Sequence, residues 1–399
     1  MILSAIDIGT TKVTCLIADY DERTKKFHIV GVGCHASRGV KKGLITHVSS
    51  TEEAILNAVH AAEKMARTTI QGAVINIAGK HLMSELISLS TTLPHQTVTD
   101  DDINGLVRRA SHVEAKSNFD VIHAFPLQHT LDSTSGIKDP RGLMGRKLTT
   151  KIHVVTSDQK ALQNLLHCVH RCHLNVRSVI TSSIASGYAT LTEDEMEMGV
   201  TLIDIGGDTT EISIFYEGNV IHSLSIPLGG LHITNDIAHG FNISLAQAER
   251  LKTLHGSALE TGEDDKVLIH FSRQGDPKKR CVKKKVLTQI IKPRIEEVFK
   301  VIKSRLEKTN MYKVAGRRIV LTGGCSQLSS IKIMAAHVLG KQVRLGQPLR
   351  LKGDIAATAA LSTAAGLLDF AYQDWYHQKT EVKRTSGWSG MVTWVKENF

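Results

Sequence analysis

The sequence predicts an α/β protein of two lobes, and three observations carry that expectation. A strand, acid, glycine turn and second strand occur twice, as AIDIGTTKVTCLIA at 5–18 and LIDIGGDTTEISIF at 202–215. Around these hairpins, runs with helical spacing of apolar residues alternate with short β-branched runs, the pattern of sheets covered by helices. The 399 residues, 42% of them hydrophobic, suffice for two substantial cores.

Each repeated segment reads as a β-hairpin whose turn suits phosphate. Glycine lets backbone N–H groups approach anionic oxygens, threonine hydroxyls add donors, and a following lysine adds charge. The first turn offers Asp7, Gly9, Thr10, Thr11 and Lys12; the second offers Asp204, Gly206, Gly207, Asp208, Thr209 and Thr210. With Asp7 and Asp204 at equivalent positions, the pair implies two lobes closing on one polyphosphate, both carboxylates holding Mg²⁺ through water.

Along the chain, residues 1–80 give the first hairpin, a helix opened by the capping box Ser50-x-x-Glu53 with Ile55, Val59 and Ala62 on one face, and the strand AVINIAG. Residues 81–157 change character, with polar alternation in ELISLSTTL, a helix capped at Thr99 with Asp102 three on, and strands around 120–132 and 147–156. Residues 158–195 return to the first lobe, and TEDEME marks the crossing into the second. That lobe has a core at 196–230 and 315–357, interrupted by a mostly helical insertion at 231–314. There Gly229 and Gly230 turn into a helix, and a second helix carries Glu249 and Lys252 three apart, able to grip a ribose hydroxyl and a purine edge or to form a surface ion pair. The helix LTQIIKPRIEEVFKVIKSRLEK packs through Leu287, Ile290, Ile291, Ile295, Val298, Val301 and Ile302, with Pro293 at a kink or in the first turn. A third turn, IVLTGGCSQLSSI at 319–331, removes side chains at Gly323 and Gly324, beside Cys325, where a flat base or ribose could lie.

Charge and cysteine usage exclude several classes. The net charge of +10 is concentrated in PKKRCVKKK at 277–285 and KTEVKR at 379–384. The first has no interleaved aromatics, so it reads as a solvated loop or strand edge and no nucleic-acid partner is expected. Six scattered cysteines fit a reducing compartment. In HCVHRCH at 167–173, His167 and His170 face away from the leucine stripe while Cys168 and Cys172 lie at its edge, so they do not close a zinc tetrahedron alone. The N-terminal MILSAIDIGTTKV lacks a charged leader and no apolar run is long enough to span a bilayer, which leads us to expect a cytosolic chain.

The ordered set DIGTTK, SSIASGYATL, DIGGDTT, TGGCSQL and DIAATAALSTAAGLL resembles the phosphate, connecting and adenosine elements of the actin-like ATPase superfamily, over residues 1–370. Within it, AFPLQHTLDSTSGIKDPRGLMGRKL at 124–148 and PLGGLHITNDIAHGF look like the FtsA family of bacterial division proteins. The resemblance implies two ribonuclease-H-like lobes sandwiching ATP with Mg²⁺, residues 81–157 being the family's inserted subdomain and 358–375 completing the first lobe. It further implies self-association, contact with downstream division proteins, attachment of the FtsZ ring to the cytoplasmic face of the inner membrane, and docking of the FtsZ C-terminal peptide on the helical insertion, near Arg294, Lys300, Lys303 and Arg305. Actin-like enzymes place a water-polarising group just upstream of the ASG connection; LNVRSVITSSIASGYATL at 174–191 has no Asp, Glu, Gln or His, so slow or undetectable turnover is expected and no catalytic residue is assigned. The alternatives are a PilM-like pilus-assembly protein, which shares the fold, and a phosphotransferase, which would need a cleft carboxylate of its own.

The closing stretch SGWSGMVTWVKENF explains where two of the three tryptophans go. On a helix Trp388, Met391, Val392, Trp394, Val395 and Phe399 fill one side, opposite Ser389, Thr393, Lys396 and Glu397. Roughly 18 Å of helix is too short to cross a bilayer and suits the headgroup layer. Residues 376–387 read as a polar tether whose Lys379, Lys383 and Arg384 face anionic lipid. The competing reading folds the tail back as a core helix or docks it on a partner.

Overall fold

The computed structural model describes residues 1–113, 118–273, 279–309, 313, 318–352 and 357–381. The first lobe opens with β1 (Ile2–Ile8), β2 (Lys12–Asp21) and β3 (Lys26–Ala36), then the short pair β4 (Val40–Lys41) and β5 (Leu44–Ile45), helix α1 (Val48–Ala66) and β6 (Gly72–Ile77). The inserted subdomain follows as β7 (Leu82–Thr92), α2 (Asp100–Val113), β8 (Phe119–Leu131), β9 (Thr134–Ile137) and β10 (Lys147–Asp158). The chain returns through α3 (Gln159–Arg171), β11 (Asn175–Thr181) and α4 (Ser182–Thr190), and crosses at α5 (Glu193–Met198). The second lobe contains β12 (Val200–Ile205), β13 (Thr210–Tyr216), β14 (Asn219–Ile226), α6 (Gly230–Phe241), α7 (Leu245–His255), the hairpin β15 (Leu268–Ser272) and β16 (Lys279–Lys283), α8 (Lys284–Glu307), β17 (Arg318–Thr322), α9 (Ile331–Leu339) and β18 (Gln342–Leu345). Then β19 (Leu351–Lys352) and α10 (Ser362–Glu381) rejoin the first lobe.

The two sheets repeat one topology. In the first lobe the order is β11-β6-β1-β2-β3-β19 and in the second β14-β13-β12-β17-β18, so each has an antiparallel meander extended by parallel strands on its first member's far side. Alternation along β1 and β2 explains why both faces of the first sheet are covered. Leu3, Ala5, Leu16 and Ala18 point to the core shared with α4 and α10, while Ile6, Ile8, Val13 and Cys15 point to that shared with α1 and α3. In the second lobe Leu287, Ile291, Ile295, Val298 and Ile302 of α8 pack into the core, as their spacing predicts; Ile290 and Val301 lie at its edge, and Pro293 sits inside the helix. The inserted subdomain forms its own sheet, β7-β10-β8-β9, with α2 packed on it.

Local signals fared unevenly. Thr99 and Asp102 do exchange hydrogen bonds at the start of α2. Helix α1, however, starts earlier than the Ser50 box: its cap is His47, whose side chain accepts from the Ser50 amide. A ring nitrogen in extended backbone can replace a hydroxyl there. The insertion at 231–314 is not wholly helical, since β15 and β16 form a hairpin within it, where Lys283 and Lys285 pair with Asp265. Cys168 and Cys172 are buried thiols, and among the described residues no three His, Cys, Asp or Glu side chains gather to hold a metal. Helix α10 continues to Glu381, so the stretch expected to be a tether from residue 376 begins helical.

Candidate functional site

Asp7 and Asp204 each sit one residue before the end of the first strand of a hairpin, and the hairpins face one another across a cleft of about 800 Å³. Gly9, Thr10, Thr11 and Lys12 line it from the first lobe, and Gly206, Gly207 and Thr209 from the second. The contact between turns is close: a Cβ on Gly207 would lie 2.4 Å from Thr11 Cγ2 and 2.8 Å from Thr10 Oγ1. Gly323 approaches equally tightly, with φ of +86° and a Cβ position 2.2 Å from Asp204 Oδ1. Gly230, Gly324, Cys325, Glu249 and Lys252 complete the wall expected for a nucleoside.

Burial dominates the electrostatics. Asp7 is raised from 3.8 to about 7 by burial, with Lys12 pulling it down and Asp204 pushing it up. Asp204 is raised too, again by burial, against the hydroxyls of Ser186 and Thr363 that donate to it. Glu249 and Lys252 form the ion pair, at 2.7 Å, and they do so on the cleft wall and not on an outer surface. Both reach Thr234 Oγ1, and Lys252 donates to the Gly230 carbonyl at 3.1 Å. Cys325 is pushed up to about 11 by burial, which keeps it a thiol.

Three expected ligands are turned to other work. Asp208 accepts from the Lys42 amide at 2.8 Å, tying the second lobe to the first. Thr210 Oγ1 donates to the Leu228 carbonyl, because its place in β13 points it inward. Gly229 lies behind Gly207, where a Cβ would come 2.7 Å from the Gly207 carbonyl. The basic row on α8 is also less open than its helical wheel suggests. Arg294 is gripped by Asp236 from α6 at 2.6 and 3.0 Å and paired with Glu297; Lys303 donates to the Val338 carbonyl. Lys300 pairs with Glu296 but stays exposed, as does Arg305. The tail residues Trp388, Met391, Val392, Trp394, Val395 and Phe399 lie outside the described residues.

The structure adds residues the sequence reading left out. Asn76, on β6, donates to Asp7 Oδ1 at 2.8 Å and to Ser182 Oγ at 2.9 Å, and accepts from the Ile8 amide. Glu211 is a further cleft carboxylate beside Asp7, Asp204 and Glu249, and the one the sequence reading did not name. It is raised from 4.5 to about 7, chiefly by burial, and accepts from Ser225 Oγ at 2.7 Å and from the Gly79 amide of the first lobe at 3.1 Å. A signal for Glu211 exists: in the tight hairpin it stands directly opposite Asp204, where the first lobe has Thr14 opposite Asp7. Nothing local marks Asn76, which the parallel pairing of β6 with β1 delivers.

Sequence and structure comparisons agree. The family described as "Cell division protein FtsA" matches residues 201–366, and "SHS2 domain inserted in FTSA" matches 79–156. The chain is 36% identical to the "Cell division protein FtsA" of Agrobacterium fabrum (strain C58), covering 100% of this chain and 95% of that protein. The protein of the same name from Escherichia coli (strain K12) is 33% identical over 98% of this chain and 95% of its own length. A structure titled "PilM-PilN type IV pilus biogenesis complex" superposes with a TM-score of 0.69 at 15% identity, over 92% of this chain and 98% of that one. MreB5 of Spiroplasma citri bound to ADP superposes with a TM-score of 0.58 at 14% identity, over 96% and 99%. At such identities these structures speak for the actin-like fold alone.

Proposed function

Because the chain belongs to the FtsA family of cell-division proteins, we propose that it is an ATP-binding structural protein of the division ring, its two lobes closing on Mg-ATP. It is a cell-division protein of actin-like fold. Closed copies associate with one another, the helical insertion takes up the FtsZ C-terminal peptide, and the inserted subdomain meets later division proteins. The C-terminal segment holds the assembly on the inner face of the membrane; no helix among the described residues is long and apolar enough to cross one.

One observation carries the nucleotide reading: Gly207 set against Thr10 and Thr11, with a carboxylate from each lobe, Asp7 and Asp204, and Lys12 lining the same cleft. Mg²⁺ fits this donor set, because two carboxylates leave the remaining positions to water and phosphate, as this ion prefers. Asp7 and Asp204 would hold it through water, and it would offset the charge of the polyphosphate. Weak hydrolysis fits as well. Helix α4 turns serine hydroxyls to this region, and the Glu211 carboxylate is engaged by Ser225 and Gly79. A pinned carboxylate is a poor base for water. For the FtsZ peptide, Lys300 and Arg305 remain the accessible cations of the expected set.

The membrane reading rests on magnitudes. Burying one large apolar side chain contributes about 1.5–3 kcal/mol, less at an interface, against roughly 1 kcal/mol per residue for ordering the segment. One tail binds reversibly, and an array of tails gains avidity of about 10²–10⁴-fold. The test is co-sedimentation of the full chain with vesicles containing anionic lipid, with Mg-ATP present. Deleting 388–399, or making Trp394→Glu, is expected to leave nucleotide binding intact and the protein in the supernatant. Unchanged pelleting would refute the anchor.

A further inference from the structure

Helix α4 carries three serines that face two different places. Ser182 Oγ accepts from Asn76, which also donates to Asp7. Ser186, one turn on, donates to Asp204 and lies 3.0 Å from Thr363, which donates to the same carboxylate. A single helical turn therefore reaches the acid of the first lobe through one amide and the acid of the second lobe directly.

Ser183 points elsewhere. It accepts from Ser213 Oγ at 2.6 Å and lies 3.2 Å from Ser223 Oγ, on neighbouring strands β13 and β14. The Ser223 amide donates to Ser84 Oγ at 3.0 Å, and Ser84 lies 2.7 Å from His153 Nε2 and 3.2 Å from His222 Nδ1. Ser84 and His153 belong to β7 and β10 of the inserted subdomain, whereas Ser223 and His222 belong to the second lobe. All of Ser183, Ser213, Ser223 and His153 are buried. The buried hydroxyls of Ser183, Ser213 and Ser223 cannot trade a partner for water, so a shift of α4 moves them together or leaves a polar group unpaired, and the Ser223 backbone amide joins them to the half-buried Ser84.

We propose that α4 couples the ligand state of the cleft to the seat of the inserted subdomain, through Ser183, Ser213 and Ser223 to Ser84 and His153. The coupling rests on the reading that Mg-ATP occupies the cleft. Asp7 and Asp204 would hold a cation between them through water, and that would fix the positions of Ser182, through Asn76, and of Ser186, and with them Ser183. The subdomain is then presented in one orientation to its partners.

Hydrogen exchange of the full chain, with and without Mg-ATP, tests this alongside a nucleotide-binding titration. In the unaltered protein, amides of Leu82–Thr92 and Lys147–Asp158 are expected to slow by roughly tenfold when Mg-ATP binds, a typical coupling between sites. Ser183→Ala and Ser84→Ala are expected to bind Mg-ATP and lose that slowing, with nucleotide affinity reduced by the same factor, since coupling is reciprocal. Ser84 lies remote from the cleft wall, so it reports even where Ser183→Ala folds poorly. Mg-ATP binding with no slowing in these strands, or slowing and affinity unchanged in Ser84→Ala, would overturn the coupling alone. No Mg-ATP binding to the unaltered protein would overturn the cleft reading and the coupling with it.

Discussion

The cleft between the lobes and the seam beneath the inserted subdomain bury polar groups to similar depth and are left in opposite chemical states. In the cleft the buried groups are acids: Asp7 and Glu211 are raised to about 7, and Asp204 is raised in the same direction. In the seam they are imidazoles: His123 and His153 are lowered to about 3 and His222 is lowered too, all by burial. Desolvation penalises whichever form is charged, so it favours protonated acids and neutral histidines. A neutral imidazole can stay buried with a protein partner on one nitrogen: His123 Nε2 accepts from the Thr181 amide and His153 Nε2 meets Ser84, while the Nδ1 of His123 has no partner among the described residues. The cleft acids also have protein donors, in Asn76, Ser186, Thr363, Ser225 and the Gly79 amide, but charges gathered round one cleft still favour a proton or a cation beside them. The seam is thus built for adhesion and the cleft for a charged ligand.

The sharpest way to break the comparison is to fill the cleft. Gly207→Val would drive a side chain into Thr10 and Thr11, where even a Cβ is closer than contact distance. It should weaken Mg-ATP binding by about 100-fold, the upper range of overpacking costs. Exchange protection of the seam in the ligand-free protein should not change, and a titration beside an exchange measurement checks both halves. Loss of protection in the seam would mean that the two regions are one structural unit.

The next effect is in pH, where the regions should pull in opposite directions. In ligand-free protein Asp7 and Glu211 keep their protons to about 7 when folded but release them near 3.8 and 4.5 when unfolded. The folded state binds more protons in that window, so the cleft's share of stability falls as pH rises from about 4 to 7. His123 and His153 take up protons at 6.5 when unfolded and only at about 3 when folded. The unfolded state binds more protons there, so the seam's share is lost as pH falls from 6.5 towards 3. Each group is worth roughly 3–5 kcal/mol at full titration. Denaturant unfolding as a function of pH should show Glu211→Gln gaining stability above pH ~7 and His153→Gln flattening the limb below pH ~6. Saturating Mg-ATP should diminish the Glu211→Gln gain and spare the histidine limb.

How much of this was legible in the sequence follows from how far apart the cooperating residues lie. The paired turns could be read because each is a contiguous hairpin, and Asp7 and Asp204 owe their equivalence to local glycine and threonine neighbours. Glu211 could have been read by counting across the turn to its partner Asp204. Asn76 could not, since it meets Asp7 only through a parallel strand 69 residues on. The same distance misled the reading of α8, where Arg294 looks exposed on its own helix but meets Asp236 on another, 58 residues away. The histidine seam left no trace either, because His123, His153 and His222 come from three strands of two sheets and none stands in a motif.

The smallest expected effect separates adhesion from decoration at the seam's rim. Lys138, in the Gly-Ile-Lys-Asp-Pro run of the inserted subdomain, pairs with Glu197 of α5 at 2.6 Å, with side chains 62% and 56% exposed. Water and salt screen such a pair, and holding two long side chains in register costs entropy. The contacts of Ser84 are part-buried and join uncharged groups, so salt does not screen them in this way. Lys138→Ala should therefore leave the exchange rates of β7 and β10 close to those of the unaltered protein, and any difference should vanish at high salt. Ser84→Ala should accelerate exchange in both strands at every salt concentration. If Lys138→Ala loosened the subdomain more than Ser84→Ala, the seam would be held by its charged rim, and the contrast with the cleft would have to be redrawn around exposed ion pairs.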